Sequence, residues 1–265
     1  MISSRQNPLF REAVRLRNSS GNRRESGLFL IDGPREIKLA MEAGFELTHI
    51  LSGPIGELSA ESKDLLTVSP QTRAVEFAPQ LMEKLSYGQK STDMVAIAIC
   101  PELKLERLPA ADLPLQLVLE RPEKPGNVGA CIRSASAAGA TAVILVEPIC
   151  EPFNPNLIRA SRGTVFTVPL AVCSLDQFRA FYEENDTNLF NAVVDGDTSL
   201  WECDFTQTAT LAFGNEAQGL TTDFQSLGST RFRIPMVGAA DSLNLSISSA
   251  LSLYEARRQR TDPPK

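Results

Sequence analysis

Arg133 is a large cation among small residues. It follows Gly126-Asn127-Val128-Gly129-Ala130-Cys131-Ile132 and precedes Ser134 and Ala135. A guanidinium is not placed among alanine and serine for packing, so its use lies in its charge. It stays protonated at any ordinary pH, so it steadies a developing anion and is a poor candidate for a base. A structural salt bridge, with Glu216 as one candidate, is the plainer alternative. Two further fragments share the same make-up. One is Phe213-Gly214-Asn215-Glu216-Ala217-Gln218-Gly219-Leu220. The other runs Ile234-Pro235-Met236-Val237-Gly238, then Asp241-Ser242-Leu243-Asn244-Leu245. Gly214 and Gly219 allow close approach and unusual backbone angles. Ile234, Pro235 and Met236 offer an apolar slot for a flat base, with main-chain groups at its edge. Asn127 and Asn244 are suited to holding loops and a nucleotide in place, and Glu216 to orienting either Arg133 or Asn127. Ser242 reads equally as the N-cap of a closing helix or as a substrate contact. The one histidine, His49, lies far from this set, which leaves no Ser-His-Asp triad.

Each fragment begins where an apolar run of strand length ends, and in open α/β sheets ligands bind at such strand ends. The elements carrying them are legible as strands near 115–120, 141–146, 164–169, 191–194, 210–213 and 232–235. Helices are expected near 128–138, 155–162, 175–184 and 242–259. Strands alternating with helices imply a parallel sheet covered on both faces. The last helix places Leu243, Ile247, Ala250, Leu251 and Tyr254 on one face, while its serines keep it slim enough to approach neighbouring backbone. Ahead of this lies a smaller alternating module. It has a helix over 7–17 with Asn7 as N-cap and Pro8 at N1, a strand at 28–31, and a helix ending at Gly44. Strands near 48–51, 74–77 and 94–99 follow, with a loop rich in Gly, Ser and Pro before the second of these and a helix near 79–86 after it. The expected division is residues 1–100, a proline-bearing linker at 101–114, and residues 115–265.

Together and in this order, the three fragments resemble the motifs of the SpoU/TrmH family of RNA ribose 2′-O-methyltransferases, a branch of the SPOUT superfamily. The resemblance runs over residues 113–260. A weaker match over 5–100, centred on Leu28-Phe29-Leu30-Ile31-Asp32-Gly33-Pro34-Arg35-Glu36, resembles the substrate-binding domain that precedes the catalytic one in such enzymes. The resemblance implies an α/β fold: a C-terminal parallel-sheet domain whose last segment makes a trefoil knot, after a small α/β RNA-binding domain. It implies S-adenosylmethionine as cofactor, met at Gly214, Ile234 and Leu243, with Met236 in the apolar slot. It also implies that Arg133 helps to activate a ribose 2′-hydroxyl, with Asn127, Glu216, Ser242 and Asn244 beside it, and that two copies form a homodimer. Position 32 more often carries Glu in that family, and position 162 a small residue. Arg162 adds either a phosphate contact or only a surface charge.

Composition bounds the partners. The 265 residues are 43% hydrophobic and 22% charged, the net charge is −6, and five scattered cysteines form no C-x-x-C pair. That favours a reducing, cytoplasmic setting without a zinc site. No apolar run is long enough to span a membrane, and the first residues lack the apolar core of a secretory signal. No metal is needed, because a sulfonium is already a good leaving group. Among the first forty residues Arg5, Arg11, Arg15, Arg17, Arg23, Arg24, Arg35 and Lys38 face only Glu12, Glu25, Asp32 and Glu36. A basic end on an acidic protein is either a phosphate-binding surface or a solvated face. Its arginine-rich make-up favours RNA contacts at Arg15, Arg17, Arg23, Arg24 and Arg35. Ribosomal RNA is the first expectation and transfer RNA the second. Two rivals remain. A dinucleotide fingerprint starting at Gly126 fails because Val128 and Cys131 stand where glycine is required. An RNA-binding protein of the same fold without catalysis would have no need of the polar set above.

Overall fold

The computed structural model describes residues 1–68, 72–86, 92–185 and 187–261. The chain forms two compact units. One contains Met1–Glu102 together with Glu151–Thr167, and the other contains Leu103–Cys150 and Val168–Lys265.

The first unit opens with α1 (Pro8–Asn18). Asn7 accepts hydrogen bonds from the Leu9 and Phe10 amides at 3.0 and 3.3 Å, and Pro8 occupies N1. A short α2 (Ser20–Ser26), not expected from periodicity, is capped by Ser19 and ended by Gly27 in the left-handed region. Then come β1 (Leu28–Asp32), α3 (Pro34–Glu42), β2 (Leu47–Ser52), α4 (Ala60–Val68), β3 (Arg73–Glu76), α5 (Pro79–Leu85) and β4 (Met94–Ile99). Helix α4 replaces the loop expected there. Only Ser62 and Leu65 of it are buried, too few to write a helical period into the sequence. The sheet order is β1-β4-β2-β3, with β4 antiparallel to both neighbours and β2 parallel to β3. Alternation along β1 sends neighbouring side chains to opposite faces. Leu30 joins Phe10, Ala13, Leu16, Phe77 and Leu85 in one core cluster. Phe29 instead stacks on Phe153 at 4.4 Å, with Phe45 and Phe166 completing an aromatic group.

The second unit is built on β5 (Leu115–Glu120), α6 (Pro125–Ala138) and β6 (Ala142–Val146). The chain then enters the first unit as α7 (Pro155–Ser161) and a 3-10 turn over Thr164–Phe166. A strand was expected over 164–169. The strand β7 is instead Leu170–Cys173, starting after Pro169, whose missing N–H cannot join a ladder. The order continues with α8 (Leu175–Asn185), β8 (Asn188–Ala192), β9 (Thr198–Ser199), β10 (Ala209–Phe213), α9 (Thr222–Gln225), β11 (Thr230–Arg233) and α10 (Leu245–Thr261). All pairings are parallel, in the order β7-β6-β5-β10-β8-β11-β9. Part of the expected linker is structured: Leu105 is buried and the Leu103 carbonyl accepts from the Val172 amide at 2.8 Å.

Helix α10 lies along α6. Its buried side is Leu245, Ser249, Ser252, Leu253, Glu255 and Ala256, so the small residues do permit close packing. The apolar stripe behaves otherwise. Ile247, Leu251 and Tyr254 are exposed rather than turned to the core. At its far end the Arg260 guanidinium donates to four carbonyls, those of Phe205, Leu113, Pro114 and Gln207, at 2.6–3.0 Å.

Candidate active site

The strand order reverses between β5 and β10. From β5 the chain steps outward to β6 and β7, while β10 borders the strands of the other side. Open parallel sheets place their ligand crevices at such switch points, beyond the carboxyl ends of the strands. The first fragment leaves the end of β5, the second the end of β10, and the third the end of β11.

The second fragment is a tight loop. The Asn215 amide donates to the Gly219 carbonyl at 3.1 Å, and the Gly219 amide donates back to the Asn215 carbonyl at 2.8 Å. Gly219 has φ +69°, as only glycine adopts without cost. Gly214 is needed for a different reason. A Cβ there would lie 2.0 Å from the Gly219 carbonyl carbon and 2.1 Å from the Leu220 nitrogen. The close approach at Gly214 is thus between the two arms of the loop itself. Three bonds fasten this loop to the end of β5. Asn215 Nδ2 donates to the Arg121 carbonyl at 3.1 Å, and the buried Glu120 carboxylate accepts from the Thr221 amide at 2.8 Å and from the Thr221 hydroxyl. The sequence reading missed Glu120 and Thr221 in this role. A carboxylate closing a buried, largely apolar strand was the available signal.

One hydrogen-bonded chain joins all three fragments. Asn127 Nδ2 donates to Glu216 Oε1 at 2.9 Å, and Asn244 Nδ2 donates to Asn127 Oδ1 at 3.3 Å. Asn244 Oδ1 accepts from the Ser246 amide at 2.9 Å and its hydroxyl at 2.7 Å, and the Asn244 carbonyl accepts from Ile247 and Ser248. The helix cap is therefore Asn244 and not Ser242, which is exposed ahead of the helix. Glu216 orients Asn127 and not Arg133. Its other oxygen, Oε2, is buried and has no hydrogen-bond partner among the described residues. Arg133 is exposed on α6, and among the described residues no hydrogen bond or ion pair engages it, so the salt-bridge alternative fails. Underneath, Ser249 of α10 donates to Cys131 Sγ of α6 at 3.2 Å, and burial pushes that thiol up to about 12.

Of the cofactor candidates, Gly214, Ile234 and Leu243 are half-buried and Met236 is exposed. Ile234, Pro235 and Met236 lie just beyond β11 rather than inside it. Among the described residues no hydrogen bond within the protein engages residues 235–243, so that ribbon of peptide groups is open to a ligand. In the other unit Arg15, Arg24 and Arg35 are exposed. Arg17 is half-buried and donates to the Ser86 carbonyl at 2.9 Å. Arg23 departs from the expectation of an RNA contact. It is buried, donates to the Leu16 carbonyl, and pairs with Glu151 through Nε at 3.0 Å and through Nη2.

Comparison with known proteins fits this arrangement. Residues 114–254 match the SpoU rRNA Methylase family, and residues 7–96 match the MRM3-like substrate binding domain. A 23S rRNA (uridine(2479)-2′-O)-methyltransferase of Streptomyces viridochromogenes is 33% identical over 98% of this chain and 92% of its own. The chain belongs to the SpoU rRNA methylase family. The SpoU methyltransferase AviRb from the same organism, solved in complex with AdoMet, superposes with a TM-score of 0.90 at 30% identity, covering 98% of this chain and 100% of that one. An AdoMet-bound rRNA methyltransferase from Sinorhizobium meliloti gives a TM-score of 0.88 at 26% identity, with 97% of each chain covered. The SpoU match contains all three fragments. It also contains Glu151–Thr167, which in this structure belongs to the substrate-binding unit.

Proposed function

We propose that this protein transfers a methyl group from S-adenosylmethionine to a ribose 2′-hydroxyl of ribosomal RNA. The observation that carries the reading is the hydrogen-bonded chain Glu216–Asn127–Asn244. It knits three loops together at the switch point of the sheet and leaves the Arg133 guanidinium unengaged among the described residues. The residues present fit the cofactor: among the described residues, 235–243 offer unpaired peptide groups beside an apolar slot, and Glu216 Oε2 is a buried acceptor without a donor.

When bound, S-adenosylmethionine supplies a methyl group on a sulfonium, a good leaving group that needs no metal. The protein's part is to bind, orient and handle charge. Gly214, Ile234, Met236 and Leu243 hold the cofactor, largely through main chain. Asn127 and Asn244 keep the loops in register, Glu216 fixes Asn127, and Ser242 meets the substrate. Arg133 steadies the developing alkoxide, or orients a backbone phosphate that takes the proton. Arg15, Arg24 and Arg35 take RNA phosphates, with Arg17 beside them. The exposed stripe Ile247, Leu251 and Tyr254 supports a homodimer through α10, since a second copy would cover it with the same face. The setting is the cytoplasm, where the five thiols stay free.

The test is a methyl-transfer assay on unmodified ribosomal and transfer RNA, with the modified ribose mapped in a deletion strain. Label incorporated into ribosomal RNA supports the reading. Label confined to transfer RNA corrects the substrate, and no transfer to any RNA despite tight cofactor binding overturns the enzymatic role.

A further inference from the structure

Arg162 occupies a position where its residue type is a cost. It ends α7 with φ +52° and ψ +39°, the left-handed conformation that helix C-caps give to glycine or asparagine. Gly163 follows at φ +80°, so two successive residues are left-handed. For a non-glycine residue that conformation costs roughly 1–2 kcal/mol. The local hydrogen bonds ask nothing of the side chain. The Arg162 amide donates to the Arg159 carbonyl at 3.0 Å, and the Gly163 amide to the Ile158 carbonyl at 3.1 Å. The side chain itself is exposed, and among the described residues no carboxylate or carbonyl receives it. The left-handed backbone here thus carries a guanidinium that is unpaired among the described residues.

The surroundings say which partner. Gly163 is pressed against α3: a Cβ on it would lie 2.7 Å from Leu39 Cδ1 and 3.6 Å from Glu36 Cα. Arg35, exposed and likewise unpaired, is the neighbour of Glu36, as Arg162 is of Gly163. The residue after Arg162 thus touches the residue after Arg35, which brings these two chain segments, far apart in sequence, together within the substrate-binding unit. Arginine forks suit phosphate oxygens.

We propose that Arg162 and Arg35 form a phosphate-binding pair for the RNA substrate, one arginine supplied by α3 and the other by the segment Glu151–Thr167. The pair extends the basic surface of α1 and α2 onto a stretch of chain that lies, in sequence, inside the methyltransferase region. This rests on the RNA-modifying reading above.

The test uses the full-length protein and an unmodified 23S rRNA transcript, with binding measured at several salt concentrations. Arg162→Gly removes the guanidinium and relieves the backbone at once. Its melting temperature is expected to stay level or rise, while RNA affinity falls roughly three- to tenfold and the slope of log K against log salt shrinks by about 1. Arg35→Ala should do the same to binding, Arg162→Lys should keep most of the slope, and S-adenosylmethionine affinity should not move in any of them. Unchanged RNA affinity and slope in Arg162→Gly would overturn the proposal, as would a fall in stability that accounts for the loss. If the wild-type protein itself fails to bind or methylate the transcript, the fault lies in the substrate reading and not in this pair.

Discussion

Gly214→Ala places one methyl group where the structure has least room. The added carbon would sit 2.0–2.2 Å from the Gly219 carbonyl group and the Leu220 nitrogen, all of them main chain. Ordinary carbon contacts need about 3.5 Å, so one arm of the loop must retreat by more than an ångström. That movement breaks the paired main-chain bonds between Asn215 and Gly219 and strains the Thr221–Glu120 anchor. Two bonds at about 1 kcal/mol each, plus about 1–3 kcal/mol of overpacking, give a loss of about 3–5 kcal/mol. For a chain of this size that lowers the melting temperature by roughly 6–15 °C. Cofactor affinity should fall at least tenfold, because Glu216 and Asn127 move with the loop. Gly219→Ala is the control. Nothing lies within 4 Å of its Cβ, but its φ is +69°, so it should cost only about 1–2 kcal/mol. Differential scanning calorimetry and titration calorimetry with S-adenosylmethionine would measure both effects. A Gly214→Ala protein that melts within a degree of wild type and binds cofactor normally would refute the reasoning.

Arg133→Ala should leave the fold and cofactor binding intact, since nothing among the described residues holds that guanidinium, yet single-turnover methyl transfer should drop by about 10²–10³. Arg133→Lys should remain badly impaired, because an ammonium lacks the planar fork. Asn127→Ala strands Glu216 Oε1 and Asn244 Nδ2 together, and should cost about 1–3 kcal/mol in a melt while weakening cofactor binding. Arg23→Ala should destabilise by about 3 kcal/mol, because it leaves the Glu151 carboxylate without its buried partner. Arg24→Ala should leave the melt unchanged and reduce only the salt-dependent affinity for RNA.

The sequence carried those parts of the site that depend on residue type at strand ends. The pattern of glycine, amide and carboxylate after three apolar runs located all three loops. The Asn7-Pro8 start and the β1 alternation located elements of the first unit. Pairing was not legible. Glu216 had two candidate partners, and only the fold, spanning 89 residues of sequence, brings Asn127 to it. Of the two readings of Ser242, the N-cap one gave way to Asn244: both residues are good caps, and the bonds from Ser246, Ile247 and Ser248 select the second. Helical spacing identified the stripe of Ile247, Leu251 and Tyr254 but not which way it faces. A slim serine face packs against α6 in its place, since close backbone approach there outweighs burial of larger side chains. Arg23 looked like any surface arginine, because the acid that buries it lies 128 residues away.

The placement of Glu151–Thr167 sets an order on synthesis. A nascent chain leaves the ribosome N-terminus first, at about 5–20 residues per second. When Glu102 has emerged, Phe29 and Phe45 still lack Phe153 and Phe166, and Arg23 still lacks Glu151. The unit made first thus waits several seconds for its closing piece, with aromatic surface uncovered. A gene fragment ending at residue 102 would stop in that state, so the substrate-binding unit is not a cassette that recombination can lift out by a single cut. Any exchange that keeps it whole must carry a second, internal piece of the methyltransferase gene.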